Sequence, residues 1–243
     1  NRSSTSPYYI NYSSLSDGIY FYNATINDSL GQSSVLATRN VTLDNVKPRV
    51  TINLPVSAGI NLSSSSLNLN VTLNEDGDSC LYSLNTGAAN FSMTRNGLRD
   101  FNATNTSIAD GTYTASYYCN DTAGNLNATE RRIFGIDTTF PLISYGTGTA
   151  GDFTNQTATA VYVNVSATET NEDTIVFRLH NATALVNATS FTNKARTINW
   201  TGLADGTYTY NVTVNDSAGN SNVTATRNIR VDTAGPTASY TDP

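Results

Sequence analysis

The chain has 243 residues, of which 38% are hydrophobic and 13% are charged. Both fractions are low for a globular protein, so solubility depends mainly on Ser, Thr and Asn side chains. The net charge of -6 excludes a basic surface that neutralises nucleic-acid phosphates. No apolar run reaches the length of a membrane span, and no signal peptide begins the chain. We therefore expect no membrane span in this segment, and either a mature fragment or a window of a longer protein.

The first predicted element lies in the stretch LSDGIYFYNATINDSLGQ, which has two near-copies later in the chain. The Asp-Gly pairs of the three copies begin at Asp17, Asp110 and Asp205, which are 93 and 95 residues apart. At matching offsets after each of these aspartates come a Tyr, an Asn-Asp pair, an Arg, a second Asp and a Pro. Such constant offsets indicate a tandem array whose repeat has about 94 residues, the size of a domain.

Within each repeat the apolar residues alternate with polar ones, which predicts half-buried antiparallel strands. The alternation is plain in residues 67–73, 161–165 and 208–214, and in the last of these the two tyrosines and two valines share one face. The stretches NDTAGN and NDSAGN supply the Asn, Asp and Gly typical of a hairpin turn. About seven short strands in such a repeat predict an immunoglobulin-like sandwich. The predicted fold class is all-β, with tandem immunoglobulin-like β-sandwich domains in a linear array.

Two motifs carry a resemblance to a known family. LSDGIY at Leu15, IADGTY at Ile108 and LADGTY at Leu203 resemble the turn before strand F of immunoglobulin-like domains, where a Tyr forms the tyrosine corner. IDTTFP at Ile136 and VDTAGP at Val231 are similar to the linkers of tandem Ig-like repeats in bacterial and archaeal surface proteins. The resemblance implies the fold of nearly the whole chain and a prokaryotic surface protein. Together with the few cysteines and the dense glycosylation motifs described below, it indicates an archaeal one.

The repeat sets the expected domain boundaries. Residues 1–48 form the C-terminal half of one Ig-like domain, 49–141 and 142–236 form complete ones, and 237–243 form the first strand of a following or intermolecular domain. Two explanations account for the half domain. The sequence is a segment of a longer array, which we favour, or the ends of different molecules complete one another by strand addition.

The two cysteines align with apolar residues of the next repeat. Cys80 corresponds to Ile175 and Cys119 to Val214. We expect a disulfide between them across the core, which stabilises the fold by roughly 2–4 kcal/mol and implies an oxidising, extracytoplasmic setting. The alternatives are two free buried thiols or half of a metal site, and a zinc site is disfavoured because His180 is the one histidine.

Asn-x-Ser/Thr sequons occur twenty times, whereas the composition alone produces about eight. We expect N-glycosylation of the array, because several of these asparagines point outward from their strands. The favoured acceptors are Asn11, Asn23, Asn40, Asn61, Asn70, Asn90, Asn102, Asn105, Asn127, Asn155, Asn164, Asn181, Asn187, Asn199, Asn211 and Asn222. Four others are set apart, three of them because an Asp follows in a turn: Asn1, Asn27, Asn120 and Asn215.

Acidic residues cluster in NEDGD and ETNED, at similar places in consecutive repeats, and oxygen ligands gathered at a domain end suit calcium. A solvated polar turn is the favoured interpretation, and no metal or other cofactor besides covalent glycans is expected. Arginines recur on the inward parity of the last strand, and we expect each to contact a Tyr face or the Asp of the Asp-Gly turn. The calcium candidates are Glu75, Asp76, Asp78, Glu172 and Asp173; the arginines are Arg39, Arg132 and Arg227.

No catalytic residue is proposed, because the sequence contains no recognisable nucleophile, zinc-protease or phosphate-loop motif. The sequence predicts a non-enzymatic structural protein of an extracellular filament, sheath or stalk, which associates with copies of itself or with neighbouring repeats. The first alternative is an adhesin that binds a cell-surface or carbohydrate ligand through domain-end loops. The second is the spacer region of a larger secreted hydrolase.

Overall fold

The structure is a computed structural model, and it describes residues 8–240. These residues form strands, turns and irregular segments, and among them there is no helix long and apolar enough to cross a membrane. Two compact units are distinguished. Unit 1 contains residues up to 58, 68–105 and 113–133, and unit 2 contains 59–67, 106–112 and the residues from 134 onward.

The strands follow one another in all three repeats, as the alternating patterns predict. In the first repeat they are β1 (Gly18–Tyr22), β2 (Thr25–Asn27), β3 (Ser33–Val35) and β4 (Arg39–Leu43). In the second they are β5 (Val50–Leu54), β6 (Ile60–Leu62), β7 (Leu67–Leu73), β8 (Gly77–Ser83), β9 (Phe91–Ser92), β10 (Thr94–Arg95), β11 (Asp100–Asn105), β12 (Gly111–Asp121), β13 (Leu126–Asn127) and β14 (Arg131–Ile136). In the third they are β15 (Leu142–Tyr145), β16 (Thr154–Gln156), β17 (Val161–Thr168), β18 (Glu172–Asn181), β19 (Leu185–Phe191), β20 (Thr197–Trp200), β21 (Gly206–Asp216), β22 (Ser221–Val223) and β23 (Arg227–Val231).

The third repeat shows the sandwich most completely. One sheet has the order β15–β17–β20, and the other has the order β16–β23–β21–β18–β19, with β22 paired beside β21. The pairs are antiparallel except β16 with β23, which is parallel. Inward residues of both sheets form one core, which consists of Val161, Val163, Val165, Ile175, Phe177, Leu179, Trp200, Tyr208, Tyr210, Val212, Ile229 and Val231.

The second repeat has the same plan. Its smaller sheet has the order β10–β11–β7–β5, and its larger sheet has the order β6–β14–β12–β8–β9, with β13 beside β12. The predicted alternation is seen in β7, where Leu67, Leu69, Val71 and Leu73 are buried while the residues between them are not. Burial of every second side chain is what fixes the register of such strands, because a slip of one residue would expose all four.

The first repeat consists of two hairpins, β1 with β4 and β2 with β3. Many of its apolar side chains are exposed, including Tyr22, Ile26 and Val41. Residues 237–240 form no strand, and residues 241–243 of the expected following strand lie outside the described residues.

The tyrosine corner that the Asp-Gly motif implies is seen in the first and third repeats. The hydroxyl of Tyr208 donates to the carbonyl of Ala204 at 3.0 Å, and that of Tyr20 donates to the carbonyl of Ser16 at 2.8 Å. In both, the hydroxyl bonds backbone four residues upstream, as in immunoglobulin-like domains. This bond satisfies a phenolic group at the edge of the core and fixes the start of β1 and of β21.

The disulfide is present, but the expectation that it crosses the core is wrong. Cys80 in β8 and Cys119 in β12 are bonded and lie directly opposite each other on neighbouring strands of one sheet, with their Cα atoms 4.1 Å apart. Their counterparts Ile175 and Val214 pair in the same way and are fully buried. The cysteines therefore replace an apolar cross-strand pair, and the sequence alignment alone gave no reason to choose between one sheet and two.

Candidate functional site: linker anchors and glycan acceptors

The aspartate of each Asp-Gly turn binds the linker that follows its own repeat. Asp110 accepts hydrogen bonds from the backbone N–H and hydroxyl of Thr138, at 3.0 and 2.8 Å, and from the hydroxyl of Thr139 at 2.8 Å. Asp205 accepts the same two bonds from Thr233. The Thr138 N–H and the two hydroxyls hold the pKa of Asp110 below its ordinary value, because they favour the charged carboxylate.

The first repeat uses the same position with a different donor. Asp17 accepts from the backbone N–H of Asn45 at 3.2 Å and from its side-chain amide at 2.7 Å. In all three repeats the acceptor and the donor are 28 residues apart. The Asp-Gly aspartate is therefore the first of two anchors on each linker.

A second aspartate organises the hairpin that follows β21 in the third repeat and β12 in the second. Asp216 is buried, and its Oδ1 accepts the backbone N–H groups of Ala218 and Asn220 at 2.9 and 2.8 Å. In the second repeat Asp121 does the same for Ala123 and Asn125. Burial alone raises the pKa of Asp121, but the hydrogen bonds from Asn125, Ala123 and Gly124 outweigh it and leave the pKa below its ordinary value.

The asparagine of that hairpin is the second anchor, and it binds the linker that precedes its own repeat. Asn220 is 4% exposed, and its amide donates to the carbonyl of Asp137 at 2.8 Å and to Asp216 Oδ2 at 2.7 Å. Asn125 likewise donates to the carbonyl of Asp44 at 3.1 Å. Each linker is thus held at its start by the hairpin of the next repeat.

The same hairpins bind the ends of the linkers as well. Asn222 donates its amide to the carbonyl of Pro141, and Asn127 donates to that of Pro48, each at 2.9 Å. Both asparagines belong to sequons that the sequence analysis favours as glycan acceptors. Each amide donates one of its two N–H groups to the backbone of the linker, so N-glycosylation that keeps this bond would have to use the other.

Acidic side chains converge beside these anchors, at equivalent places in the two complete repeats. The clusters are Asp44, Glu75 and Asp121 in unit 1, and Asp137, Glu169 and Asp216 in unit 2; within each, one carboxylate oxygen per residue lies within 4.8 Å of the others. Burial first, and then the charges of the other two members, raise the pKa of Glu75. The convergence of three carboxylates therefore opposes the charged form of this side chain.

The predicted calcium candidates are mostly elsewhere. Glu75 belongs to a cluster, whereas Asp76 pairs with Arg99 at 3.3 Å. The carboxylate of Glu172 is almost fully buried and binds Arg196 through two bonds of 2.7 and 2.6 Å, so it holds an ion pair of the fold. The two other candidates, Asp78 and Asp173, are exposed and lie in neither cluster.

The carboxylate clusters fit calcium only in part. Calcium takes six to eight oxygen ligands, and the aspartates of the hairpins already accept N–H donors. The described geometry favours a role in holding the hairpin, and calcium binding stays a hypothesis. The repeat offset shows from the sequence that the members of the two clusters are equivalent, since they are 93 to 95 residues apart, but only the structure shows that they converge.

The expected tyrosine-face contact is found for Arg227, and neither Arg227 nor Arg132 bonds the Asp-Gly aspartate. The guanidinium of Arg227 lies 4.0 Å from the ring centre of Tyr145 and donates to the carbonyl of Ala150 at 2.7 Å. Arg132 donates to the carbonyls of Ile52 and Val56 instead. In both complete repeats the arginine binds the first strand and the segment after it, which closes the edge of the sandwich.

The sequon asparagines differ in their exposure to solvent, and none of those that the structure describes is buried. Asn1 lies outside the described residues. The exposed ones are Asn11, Asn23, Asn27, Asn40, Asn90, Asn155, Asn181 and Asn199. The half-buried ones are Asn61, Asn70, Asn102, Asn105, Asn120, Asn127, Asn164, Asn187, Asn211, Asn215 and Asn222.

Several half-buried sequon asparagines have structural hydrogen bonds. Asn187 accepts the indole N–H of the buried Trp200 at 3.0 Å, and it lies opposite the core residue Leu179. Asn61 donates to Ser217 at 2.8 Å, and Asn164 donates to the carbonyl of a nearby loop at 3.0 Å. The pattern of alternation placed Asn164 outward, but it could not show which amides the fold uses.

These features define the class of the protein: it consists of tandem immunoglobulin-like β-sandwich domains. Residues 145–233 match a family model described as bacterial Ig-like domain. A segment of 79 residues is 34% identical to halomucin of Haloquadratum walsbyi, and it covers 32% of this chain and 1% of halomucin. The chain therefore spans a very small part of that curated relative.

Solved structures share the fold at low sequence identity. A marsupial T cell receptor is similar over 76% of this chain and 73% of its own, with a TM-score of 0.51 and 10% identity. Fibronectin(III)-like modules of CbhA from Clostridium thermocellum align over 80% of this chain and 100% of theirs, with a TM-score of 0.49 and 12% identity. The likeness to the receptor shows the sandwich fold alone.

Proposed function

We propose that this chain is a non-enzymatic structural segment of an extracellular surface assembly, a filament, sheath or stalk built from N-glycosylated Ig-like repeats. The observation that carries the proposal is that each linker is bound from both sides. The linker of residues 137–141 is held by Asp110 through Thr138, and by Asn220 and Asn222 through two of its carbonyls. The linker of residues 44–48 is held in the same way.

Such anchoring distinguishes a structural array from flexibly joined modules. A free linker rich in small polar residues behaves as a random coil, and it transmits little force between the domains it joins. Here three residues of the 44–48 linker and four of the 137–141 linker are hydrogen-bonded to named side chains. A chain whose linkers are fixed transmits tension along its strands, which is the property a filament or stalk needs.

The setting outside the cell is supported by independent features. The disulfide needs an oxidising compartment, and twenty sequons need a glycosylating one. The match to a bacterial Ig-like domain model and the identity with a segment of halomucin support a prokaryotic surface protein. Self-association with copies of the same protein or with neighbouring repeats is part of this proposal.

Imaging of the native protein together with intact-mass measurement tests the proposal. The expected result is a regular filament, sheath or stalk and a mass above that of the bare 26.0 kDa polypeptide. A monodisperse, freely jointed particle, or a mass equal to that of the polypeptide, would contradict it. If the filament, sheath or stalk loses its regular structure after Asn220→Ala and Asn125→Ala, but not after substitution of the exposed Asn193, the assembly depends on the linker anchors.

An adhesin is the second candidate, and Phe153 favours it. This side chain is 76% exposed, and its φ of 57° lies in the left-handed region that favours glycine. Gly59, at the equivalent position of the preceding repeat, has a φ of 75°. A bulky aromatic residue at a strained and exposed loop position is typical of a binding site.

A cell-binding or glycan-array assay distinguishes the two candidates. Phe153→Gly abolishes binding if the aromatic ring is the contact, while the disulfide and the linker anchors are untouched. Equal binding by the variant, or no binding by the wild-type chain, removes the adhesin hypothesis.

A further inference from the structure

Two exposed aromatic side chains lie directly opposite sequon asparagines on antiparallel strands. In unit 1, Phe21 of β1 pairs with Asn40 of β4, and Phe21 is 71% exposed. In unit 2, Tyr162 of β17 pairs with Asn199 of β20, and Tyr162 is 42% exposed. Asn40 and Asn199 are themselves exposed.

The outward position of these aromatic residues follows from the alternation of their strands. Val161 and Val163, on either side of Tyr162, are buried in the core, so Tyr162 points away from it. Phe21 corresponds in the third repeat to Thr209, which likewise lies between the buried Tyr208 and Tyr210. The exposure of Phe21 therefore does not depend on what covers the other face of its hairpin.

The chain offers a matched comparison for the first pair. Thr209 and Asn228 occupy in the third repeat the places that Phe21 and Asn40 occupy in the first, and they pair in the same register. Asn228 is followed by Ile and Arg, so it is not a sequon, and the residue opposite is not aromatic. At this position the aromatic residue and the sequon occur together in the first repeat, and neither occurs in the third. Other sequons, such as Asn164 opposite Thr197, face residues that are not aromatic.

The second pair has a similar comparison. In the second repeat the equivalent outward pair is Asn68 with Thr104, whose hydroxyl donates to the Asn68 side chain at 2.8 Å. Thr104 is not an acceptor for an N-linked glycan, and its partner Asn68 is not aromatic. Aromatic residues are common in strands and single exposed ones are ordinary, so one pair would carry no weight. There are two such pairs here, and each has a counterpart in another repeat with neither an aromatic residue nor a sequon. This points to a common function of the two aromatic residues.

Directly opposite residues of an antiparallel pair have their Cβ atoms about 4.5–5.5 Å apart, which is within reach of an aromatic ring and the group attached to its neighbour. In N-glycosylation the amide nitrogen of the asparagine bonds to C1 of the sugar. The bond from C1 to the phosphate of a lipid-linked sugar donor breaks, and the amide gives up one proton. The first sugar ring then packs on the exposed part of the aromatic ring and presents apolar C–H groups to it, which removes apolar surface from water. The ring of Tyr162 also lies beside Gly148, so only part of it is open to the sugar.

We propose that Phe21 and Tyr162 are packing platforms for the first sugars of N-glycans on Asn40 and Asn199. The inference rests on the proposed function, because it requires that the chain is glycosylated. It also distinguishes among the twenty sequons. The glycans on Asn40 and Asn199 pack on the protein surface, whereas the side-chain amides of Asn127 and Asn222 hold the linkers. The platforms stabilise the outward faces of two strand pairs that would otherwise expose aromatic rings.

A double-mutant cycle on the third repeat tests the proposal. Wild type, Tyr162→Ala, Asn199→Gln and the double variant are expressed in a host that glycosylates Asn-x-Ser/Thr, and their site occupancy is measured by glycopeptide mass spectrometry. Unfolding in urea is followed by the fluorescence of Trp200, the one tryptophan of the chain, which is buried in that core. Tyr162→Phe keeps the ring, and Tyr240→Ala removes a fully exposed ring that has no sequon opposite.

With the glycan present, Tyr162→Ala lowers the folding equilibrium constant about fivefold more than it does in the Asn199→Gln background, the size of one aromatic contact. Tyr162→Phe retains the coupling, and Tyr240→Ala shows none. Proton resonances of the first sugar on Asn199 shift upfield in the wild type through the ring current of Tyr162, and this shift is lost in Tyr162→Ala. The cycle of Phe21→Ala with Asn40→Gln repeats the test in unit 1 by hydrogen exchange of β1 and β4.

The outcomes separate this inference from the function on which it rests. Glycans at other sequons with Asn40 and Asn199 bare, or equal effects of Tyr162→Ala with and without the glycan, overturn the platforms and leave the proposed function standing. A bare polypeptide overturns both. A Tyr162→Ala variant that fails to fold in both backgrounds assigns a purely structural role to the ring, and so also overturns the platform.

Discussion

Replacing Asn220 by alanine is the most direct test of the linker anchor. The side-chain amide of Asn220 donates one hydrogen bond to the carbonyl of Asp137 and one to the carboxylate of Asp216, at 2.8 and 2.7 Å. The residue is 4% exposed, so water does not readily replace the lost donors. Both acceptors are then left without this partner at a buried site.

The expected loss is about 3 kcal/mol of unfolding free energy, from roughly 1 kcal/mol for the bond to a neutral carbonyl and about 2 kcal/mol for the bond to a carboxylate. The backbone N–H of Asn220 still donates to Asp216, so the hairpin keeps part of its structure. The equivalent change at Asn125 costs less, because that residue is only half-buried and its bond to the Asp44 carbonyl is 3.1 Å long.

Urea unfolding followed by Trp200 fluorescence measures the effect in the third repeat, whose core contains this tryptophan. Asn193→Ala, in an exposed loop, is the control for loss of an asparagine side chain. A loss below about 1 kcal/mol would show that the two bonds merely replace bonds to water, and the anchor would then carry no net stability.

Three further changes test other parts of the structure. Reduction of Cys80–Cys119 lowers the unfolding free energy by about 2–4 kcal/mol, read from urea curves with and without reductant; an unchanged curve would refute a stabilising cross-strand bridge. Glu75→Gln raises the unfolding free energy at pH 7, because the pKa of Glu75 is raised in the folded protein and its charged form is therefore disfavoured there. The wild type gains stability as the pH falls from neutral toward the ordinary pKa of a glutamate, and the variant loses this pH dependence. A gain with millimolar calcium that Glu75→Gln abolishes would instead assign a cation to the cluster. Phe153→Gly raises the unfolding free energy by about 1 kcal/mol, because glycine suits the left-handed φ that Gly59 has in the preceding repeat; a loss would show that the ring packs on the fold.

The strands of the core could be predicted from the chain because their information is local. In β7 and β21 every second residue is apolar, and each of these residues is buried where the alternation places it. The tyrosine corner was predictable as well, since an Asp-Gly turn fixes the position of Tyr208 relative to the start of its strand. The repeats strengthened both predictions, because a pattern that recurs at a constant offset in three repeats is not a chance feature of one of them.

The candidate site was predicted less well, since its residues are distant in sequence. Asn220 and Asp137 are 83 residues apart, and nothing near either one shows that an amide meets a carbonyl there. The same holds for Asn222, which reads as a glycan acceptor but donates its amide to Pro141. A sequon describes what an enzyme can recognise, whereas the fold decides which amides are already used.

The sequence by itself determined the all-β class, the repeat of about 94 residues and the inward and outward faces of the strands, and it predicted the pairing of Cys80 with Cys119 that the structure confirms. Only the tertiary structure decided that this disulfide lies within one sheet, that the linkers are bound from both sides, and which aromatic residues face sequons. The physical reason is the range of the interactions. Alternation and turn chemistry act over a few residues and are written in order along the chain, whereas hydrogen bonds and cross-strand pairs depend on register, which exists only after the strands have met.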